Sequence, residues 1–99
     1  MRELSGKQRR YLRGLANQIP ATVYAGKEGI TESVTRSLEE AYNTRELVKV
    51  RLEKAFPLER GAAAEELASR TGSHLVQVLG RTVLLYRPDP EQPRLQLPG

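Results

Sequence analysis

The residues best suited to chemistry in this sequence form a Gly-x-x-Gly stretch, Gly26-Lys27-Glu28-Gly29. It follows four residues with strand character, Thr22 to Ala25, and leads into an amphipathic helix that begins near Thr31. Glycines let backbone N–H groups approach a phosphate closely, and the positive end of a helix favours an anion. Lys27 adds a mobile cation. The stretch predicts an anion-binding loop, but two glycines at this spacing also form ordinary tight turns, and the sequence leaves both interpretations open.

A second candidate is a cluster of bases near the start of the chain. Residues 1–13 contain five bases, including Arg2, and one acid, whereas residues 14–99 contain eleven of each, so the formal net charge of +4 lies in the first thirteen residues. A helix would place four of these bases together, opposite its apolar residues: Lys7, Arg9, Arg10 and Arg13. Like charges without acidic partners repel one another. The cluster therefore indicates a polyanionic partner, with a merely solvated helix face as the alternative.

Other chemistry is poorly represented. The chain has one histidine, His74, and no cysteine, so neither a transition-metal site nor a disulfide framework is expected. Gly26-Lys27 lacks the spacing and the following Ser or Thr of a P-loop. The longest apolar run, Val83 to Tyr86, is too short to span a membrane. The sequence thus predicts no enzyme, no cofactor, no small-molecule substrate and no membrane partner.

The elements that must position these residues follow the order α-β-α-β-α-β-β in a single α/β domain. Helix one begins at a capping box, Ser5 with Gln8, and ends before Pro20. Its apolar face holds Leu4, Tyr11, Leu12, Leu15 and Ile19. The later elements are expected at about Thr31–Tyr42 (helix), Leu47–Glu53 (strand), Arg60–Arg70 (helix), Leu75–Leu79 (strand) and Thr82–Arg87 (strand).

The expected sheet is four-stranded and mixed. The β-α-β-α-β part indicates parallel pairing with right-handed crossovers, and a type II′ hairpin at Gly80-Arg81 adds one antiparallel strand. That last strand is apolar on both sides, which favours a central position. Residues 1–88 would form the domain, and the proline-rich residues 89–99 an extended, mobile tail. The periodicity does not say which sheet face helix one covers.

Taken together, these segments resemble the CRM domain (chloroplast RNA splicing and ribosome maturation) in its stand-alone bacterial YhbY-like form. The matching segments follow the family's order over residues 4–88: Leu4–Arg13, Gly26–Thr31, Leu47–Val50, Gly72 with Val76–Arg81, and Leu85–Pro88. The resemblance implies an RNA-binding module whose fold is similar to the C-terminal domain of bacterial translation initiation factor three. It also implies an association with precursors of the large ribosomal subunit.

The resemblance further implies which residues contact RNA. The family's Gly-x-x-Gly loop is regarded as analogous to that of KH domains, which clamps a nucleic-acid backbone. Carried over by position, the RNA-binding residues are Lys7, Arg9, Arg10, Arg13, Gly26, Lys27 and Gly29. Glu28 departs from the pattern, because relatives often have a neutral polar residue there, and its charge opposes that of Lys27.

We therefore expect a monomeric, cytoplasmic, non-catalytic protein that binds structured rRNA. With one Phe, four Tyr and no Trp, the chain favours phosphate and 2′-OH contacts over base stacking. Two alternatives remain open at this point. The basic helix would in one case meet an acidic surface of a ribosomal protein, and in the other lie on an anionic membrane.

Overall fold

The computed structural model describes residues 3–99 and shows a four-stranded sheet with helices on both faces. Met1 and Arg2, and with Arg2 one of the five bases counted above, lie outside the described residues. The predicted order of elements and the mixed four-stranded sheet are confirmed. The elements are α1 (Gly6–Ala16), β1 (Val23–Ala25), α2 (Glu32–Tyr42), β2 (Leu47–Leu52), α3 (Arg60–Thr71), β3 (His74–Leu79) and β4 (Thr82–Tyr86).

The strands lie in the order β1-β2-β4-β3. β1 and β2 pair in parallel, and β4 runs antiparallel to both of its neighbours. The central position predicted for β4 is confirmed. β2 and β3 point the same way, but the parallel pairing expected between them is absent because β4 is inserted between them. The turn at Gly80 places β4 directly beside β3, and burial decides which of the two is central, because β4 is apolar on both faces whereas β3 is partly exposed.

Local signals in the sequence account for the helix and turn geometry. The Ser5 hydroxyl accepts from the Gln8 amide at 3.1 Å, and the Gln8 side chain accepts from the Ser5 amide at 3.0 Å, so the predicted capping box forms. In the β3–β4 hairpin, Gly80 has φ 57° and Arg81 has no positive φ. That combination excludes a type I′ turn and agrees with the predicted type II′ turn.

Two cores form, one on each face of the sheet. Helices α2 and α3 cover the face to which β2 directs Val48 and Val50 and β4 directs Val83 and Leu85. Helix α1 covers the opposite face, which the periodicity of the sequence did not predict. The buried residues on this second side are Leu12, Ala16, Leu47, Val76, Leu84 and Tyr86.

The tail after Pro88 has no helix or strand, but it packs back against the α1 side of the domain. Leu95 and Leu97 lie against the second core. The Glu46 carboxylate is only 3% exposed and accepts backbone N–H groups of Asp89 (2.6 Å), Arg94 (2.8 Å) and Leu95 (2.7 Å). These contacts differ from the prediction of a mobile tail. They involve residues more than forty positions apart, which local pattern does not relate.

Replacing Glu46 with Gln should test whether the tail contributes to stability. One of the two acceptor oxygens would become an NH2 group, leaving one or two part-buried backbone amides without an acceptor. We expect a loss of about 1–3 kcal/mol in the free energy of unfolding, measured by urea denaturation. The exposed Glu40→Gln on α2 is the matched control and should change stability by less than about 0.5 kcal/mol. Equal stability of Glu46→Gln and wild type would show that the tail is energetically detached.

Candidate nucleic-acid interface

The Gly-x-x-Gly stretch forms a hydrogen-bonded turn between β1 and α2. The Gly29 amide donates to the Gly26 carbonyl at 3.0 Å, and Gly29 has φ 80°. Lys27 and Glu28, the two central residues, have no positive φ, which excludes a type II turn and agrees with type I, where Gly is favoured at the fourth position. The stretch is therefore a tight turn, and the tip of the turn is open to solvent.

The two glycines of the turn have different structural roles. Gly29 is buried with φ 80°, a backbone conformation that other residues rarely adopt, so the turn itself favours glycine there, although a Cβ would make only an ordinary 3.7 Å contact with Cγ of Pro57. Its amide is already used within the turn. Gly26 has no positive φ, and a Cβ there would meet only the Glu53 Oε1 atom at 3.6 Å, an ordinary contact. The fold therefore tolerates a methyl group at Gly26, and any need for glycine there would come from a ligand.

At the tip of the turn, Lys27 and Glu28 are exposed. Within residues 3–99 neither side chain forms an ion pair or a hydrogen bond. The backbone N–H groups of these two residues likewise donate to no acceptor in that part of the chain. α2 follows directly, with Thr31 as its N-cap accepting from the Val34 amide at 3.2 Å. The loop thus offers amide donors and a cation to an anion, opposed by the exposed carboxylate of Glu28.

Helix α1 presents a separate group of cations. Lys7 and Arg10 are exposed and Arg13 is half-buried, and in the described part of the chain none of the three forms an ion pair or a side-chain hydrogen bond. Leu12 and Ala16 lie beneath them in the second core. Within the described residues these three bases therefore lack an acidic partner and are available to pair with an external anion.

Arg9 differs from the other bases of α1. Its guanidinium donates to the Leu75 carbonyl on the edge strand β3, so it does not belong to a free basic face as the sequence predicted. Helical periodicity predicts on which side of α1 the Arg9 side chain lies. It does not predict that the side chain reaches the edge strand β3. Arg9 lies close to His74, whose ring stacks on Tyr86 at 6.0 Å. Partial burial, and secondly the charge of Arg9, lower the pKa of His74, which therefore stays neutral near pH 7.

The Gly-x-x-Gly loop and helix α1 contact the β2 segment at positions four residues apart. Lys49 Nζ donates to the carbonyl of Ala16, the last residue of α1, at 2.8 Å. The Glu53 amide, four residues further along, donates to Ala25 at the start of the loop. Four residues of a strand span about 13 Å. No hydrogen bond or ion pair among the described residues joins the two groups, which are separated by a strip of sheet surface.

Residues 3–99 contain neither a metal-binding cluster nor a helix able to span a membrane. No group of three or more His, Cys, Asp or Glu side chains is placed to hold a metal ion there. The helices of that part of the chain are all too short or too polar to cross a membrane.

Comparison with known proteins adds family evidence. The family model described as the CRS1 / YhbY (CRM) domain matches residues 4–87. "Probable RNA-binding protein YqeI" of Bacillus subtilis is 34% identical over 95 residues, which cover 96% of this chain and 99% of that protein. An RNA-binding protein of Haemophilus influenzae is 36% identical over 98 residues, covering 99% and 98% of the two chains.

The fold has a counterpart among solved structures. The solution structure of a Staphylococcus aureus protein, described there as a candidate RNA-binding protein, is similar with a TM-score of 0.82 and 38% sequence identity. The similarity covers 96% of this chain and 99% of that one. The match of the family model to residues 4–87, together with relatives similar over nearly their whole length, shows that this chain belongs to the CRS1/YhbY (CRM) domain family.

Proposed function

We propose that this protein is a non-catalytic RNA-binding protein that recognises structured RNA through its phosphates. The observation that carries the proposal is the group of three unpaired cations on α1, Lys7, Arg10 and Arg13. Its relatives in Bacillus subtilis and Haemophilus influenzae are named as RNA-binding proteins. Phosphate contacts position a protein on RNA without reading sequence, so affinity should depend on the shape and charge of the RNA.

The site would combine two contacts. Lys7, Arg10 and Arg13 would bind one stretch of phosphates, while Lys27 and the backbone near Gly26 would bind another at the loop. Arg9 would act indirectly by holding α1 against β3, and Gly29 would shape the turn. Because the two contacts lie on separate parts of the sheet, the ligand must be long enough to reach both, as a folded RNA is.

The finer part of the proposal is a role in assembly of the large ribosomal subunit, with the precursor rRNA as ligand and the protein acting as a cytoplasmic monomer. It is supported by the resemblance to stand-alone bacterial YhbY-like proteins. Crosslinking the protein to RNA in cells should place it on rRNA of large-subunit precursors. Crosslinks spread over unrelated RNAs would overturn the ribosomal assignment while leaving RNA binding intact.

One observation favours a second candidate, an adaptor that docks on a ribosomal protein. Leu58 and Val78, which line one open cavity, are apolar and exposed. Treating ribosomal precursor particles with RNase before sedimentation separates the two functions. An RNA-binding protein should be released, whereas an adaptor should remain in a protein complex.

The basic side of α1 should set the salt dependence of RNA binding. Replacing Arg10 and Arg13 with Gln should remove two phosphate contacts. The plot of log K against log salt for a 20-base-pair RNA duplex should then become shallower by about 1.8 units. The control is Arg36→Gln with Arg70→Gln, which removes the same charge from α2 and α3, where both bases face acids. An unchanged slope in the α1 variant would show that these bases are only a solvated face.

Substitution by alanine should affect RNA affinity at Gly26 and thermal stability at Gly29. Gly26→Ala should keep its melting temperature but lose RNA affinity several-fold, because the methyl group holds a phosphate away from the backbone. Gly29→Ala should melt lower, because alanine at φ 80° costs about 1–2 kcal/mol. Melting curves and binding curves for both variants decide the matter. Normal binding by Gly26→Ala would mean that the loop backbone does not approach the RNA.

The carboxylate of Glu28 should weaken the proposed contact between the Gly-x-x-Gly loop and an RNA phosphate. A carboxylate about 6 Å from a phosphate costs roughly 1.4 kcal/mol at an effective dielectric near 40, before screening by salt. Glu28→Gln should therefore tighten RNA binding a few-fold, more at low salt than at high salt, with Glu40→Gln on α2 as the matched control. Equal affinities at both salt concentrations would remove Glu28 from the contact surface.

A further inference from the structure

A row of side chains, exposed on β1, β2 and β3 and half-buried on β4, crosses all four strands of the sheet. The strand registers pair Tyr24 with Arg51, Arg51 with Thr82, and Thr82 with Leu79. Directly paired residues point to the same face of a sheet. Thr82 precedes Leu84 of the second core by two positions, so the row faces the α1 side.

Helix α1 covers only part of this face. Its last residue, Ala16, is held by Lys49, two positions before Arg51. A small cavity beside this end of α1 is lined by residues that include Ala16, Lys49, Thr82 and Leu79, so the row starts where the helix stops. Beyond it the sheet is open among the described residues. Tyr24 is 55% exposed, Leu79 is 64% exposed and Arg51 is exposed as well.

The row begins with two residues on neighbouring strands whose side chains carry planar groups, Tyr24 and Arg51. The Tyr24 hydroxyl donates to the Ala21 carbonyl at 3.1 Å, which fixes the ring along β1 and leaves much of it accessible. Arg51 lies on the adjacent strand, about 5 Å away by the usual spacing of strands. Aromatic rings and guanidinium planes are the groups on which proteins stack unpaired RNA bases. The pair therefore has the chemistry of a base-stacking site.

The position of the pair connects the two proposed phosphate contacts. Tyr24 precedes Gly26 by two residues, about 7 Å along a strand, and α1 ends a similar distance away on the other side. The charges nearby are mixed, since Arg51 and Lys49 favour RNA whereas Glu53 and Glu28 oppose it. An RNA held by both α1 and the loop would pass over this strip of sheet.

We infer that Tyr24 and Arg51 form a stacking site for an unpaired RNA base, between α1 and the Gly-x-x-Gly turn. The inference rests on the proposed RNA binding and adds to it a preference that phosphate contacts alone do not give. Paired bases inside a duplex are not free to stack on a protein, so the site selects RNA with a bulge or loop. The low aromatic content favours phosphate and 2′-OH contacts over stacking, but one of the four tyrosines, Tyr24, lies exposed between the buried Val23 and Ala25.

Two RNA probes test the inference: a blunt 20-base-pair duplex and the same duplex carrying a bulge of three adenosines. Wild type should bind the bulged RNA several-fold more tightly. Tyr24→Thr, which suits a strand but lacks a ring, should lose five- to tenfold in affinity for the bulged RNA. It should keep its affinity for the duplex and its salt slope, because no phosphate contact is removed.

Two conservative variants separate stacking from other roles. Tyr24→Phe keeps the ring and should keep most of the preference for the bulge. Arg51→Lys keeps the charge but loses the planar guanidinium, so it should lose part of the preference with an unchanged salt slope. Melting temperatures of all three variants should stay near that of wild type, since both positions are exposed.

The outcomes distinguish this inference from the proposed function. If wild type binds neither probe, RNA binding itself fails and the stacking site fails with it. If wild type binds both probes but Tyr24→Thr binds the bulged RNA equally well, only the stacking site is wrong. A variant that loses affinity equally for both probes would also contradict stacking on an unpaired base.

Discussion

The structure depends on burial of β4 on both of its faces. Val83 and Leu85 are fully buried against α2 and α3, while Leu84 and Tyr86 are 3% and 4% exposed on the α1 side. A strand of this kind is stable only if helices cover both faces of the sheet. α1 must therefore pack on the second face, and in doing so it turns Lys7, Arg10 and Arg13 towards solvent. The need to bury both faces of β4 therefore also determines where the bases of the proposed interface lie.

The distribution of ion pairs distinguishes the two sides of the sheet. On the α2 and α3 side, Arg36 faces Glu32 at 3.9 Å and Arg70 faces Glu66 at 2.6 Å. Exposed pairs of this kind contribute little to stability, but each cancels a charge that would otherwise attract an anion. The unpaired bases of α1 have no such acid among the described residues. The proposed polyanionic ligand would therefore be attracted more strongly to the α1 side.

Much of the fold could be predicted from the sequence because its signals are local. The Ser5–Gln8 capping box, the alternation of Val48, Val50 and Leu52, and the doubly apolar Val83–Tyr86 segment each specify an element within a few residues. The face covered by α1 and the docking of the tail on Glu46 were not predictable in this way. Both depend on contacts between distant parts of the chain, which periodicity does not encode.

The candidate site shows the same division. The charge cluster on α1 and the Gly-x-x-Gly turn were found from residue types and spacing, and their contact with RNA stays a prediction. Sequence alone could not separate Arg9, which is bound to the Leu75 carbonyl, from its free neighbours. Nor could it separate Gly29, required by its positive φ, from Gly26, which the fold would allow to change. Each distinction needs a backbone angle or a neighbouring strand.

The proposed interface can be mapped by following the amide chemical shifts of the isotope-labelled protein by NMR as a 20-base-pair RNA duplex is added. They report which face of the sheet meets the RNA without any substitution. We expect the largest shifts in α1 around residues 7–13 and in the loop at residues 26–29, with α2 and α3 little changed beyond the first turn of α2. Shifts concentrated on the outer faces of α2 and α3 would show that RNA binds the opposite side of the sheet.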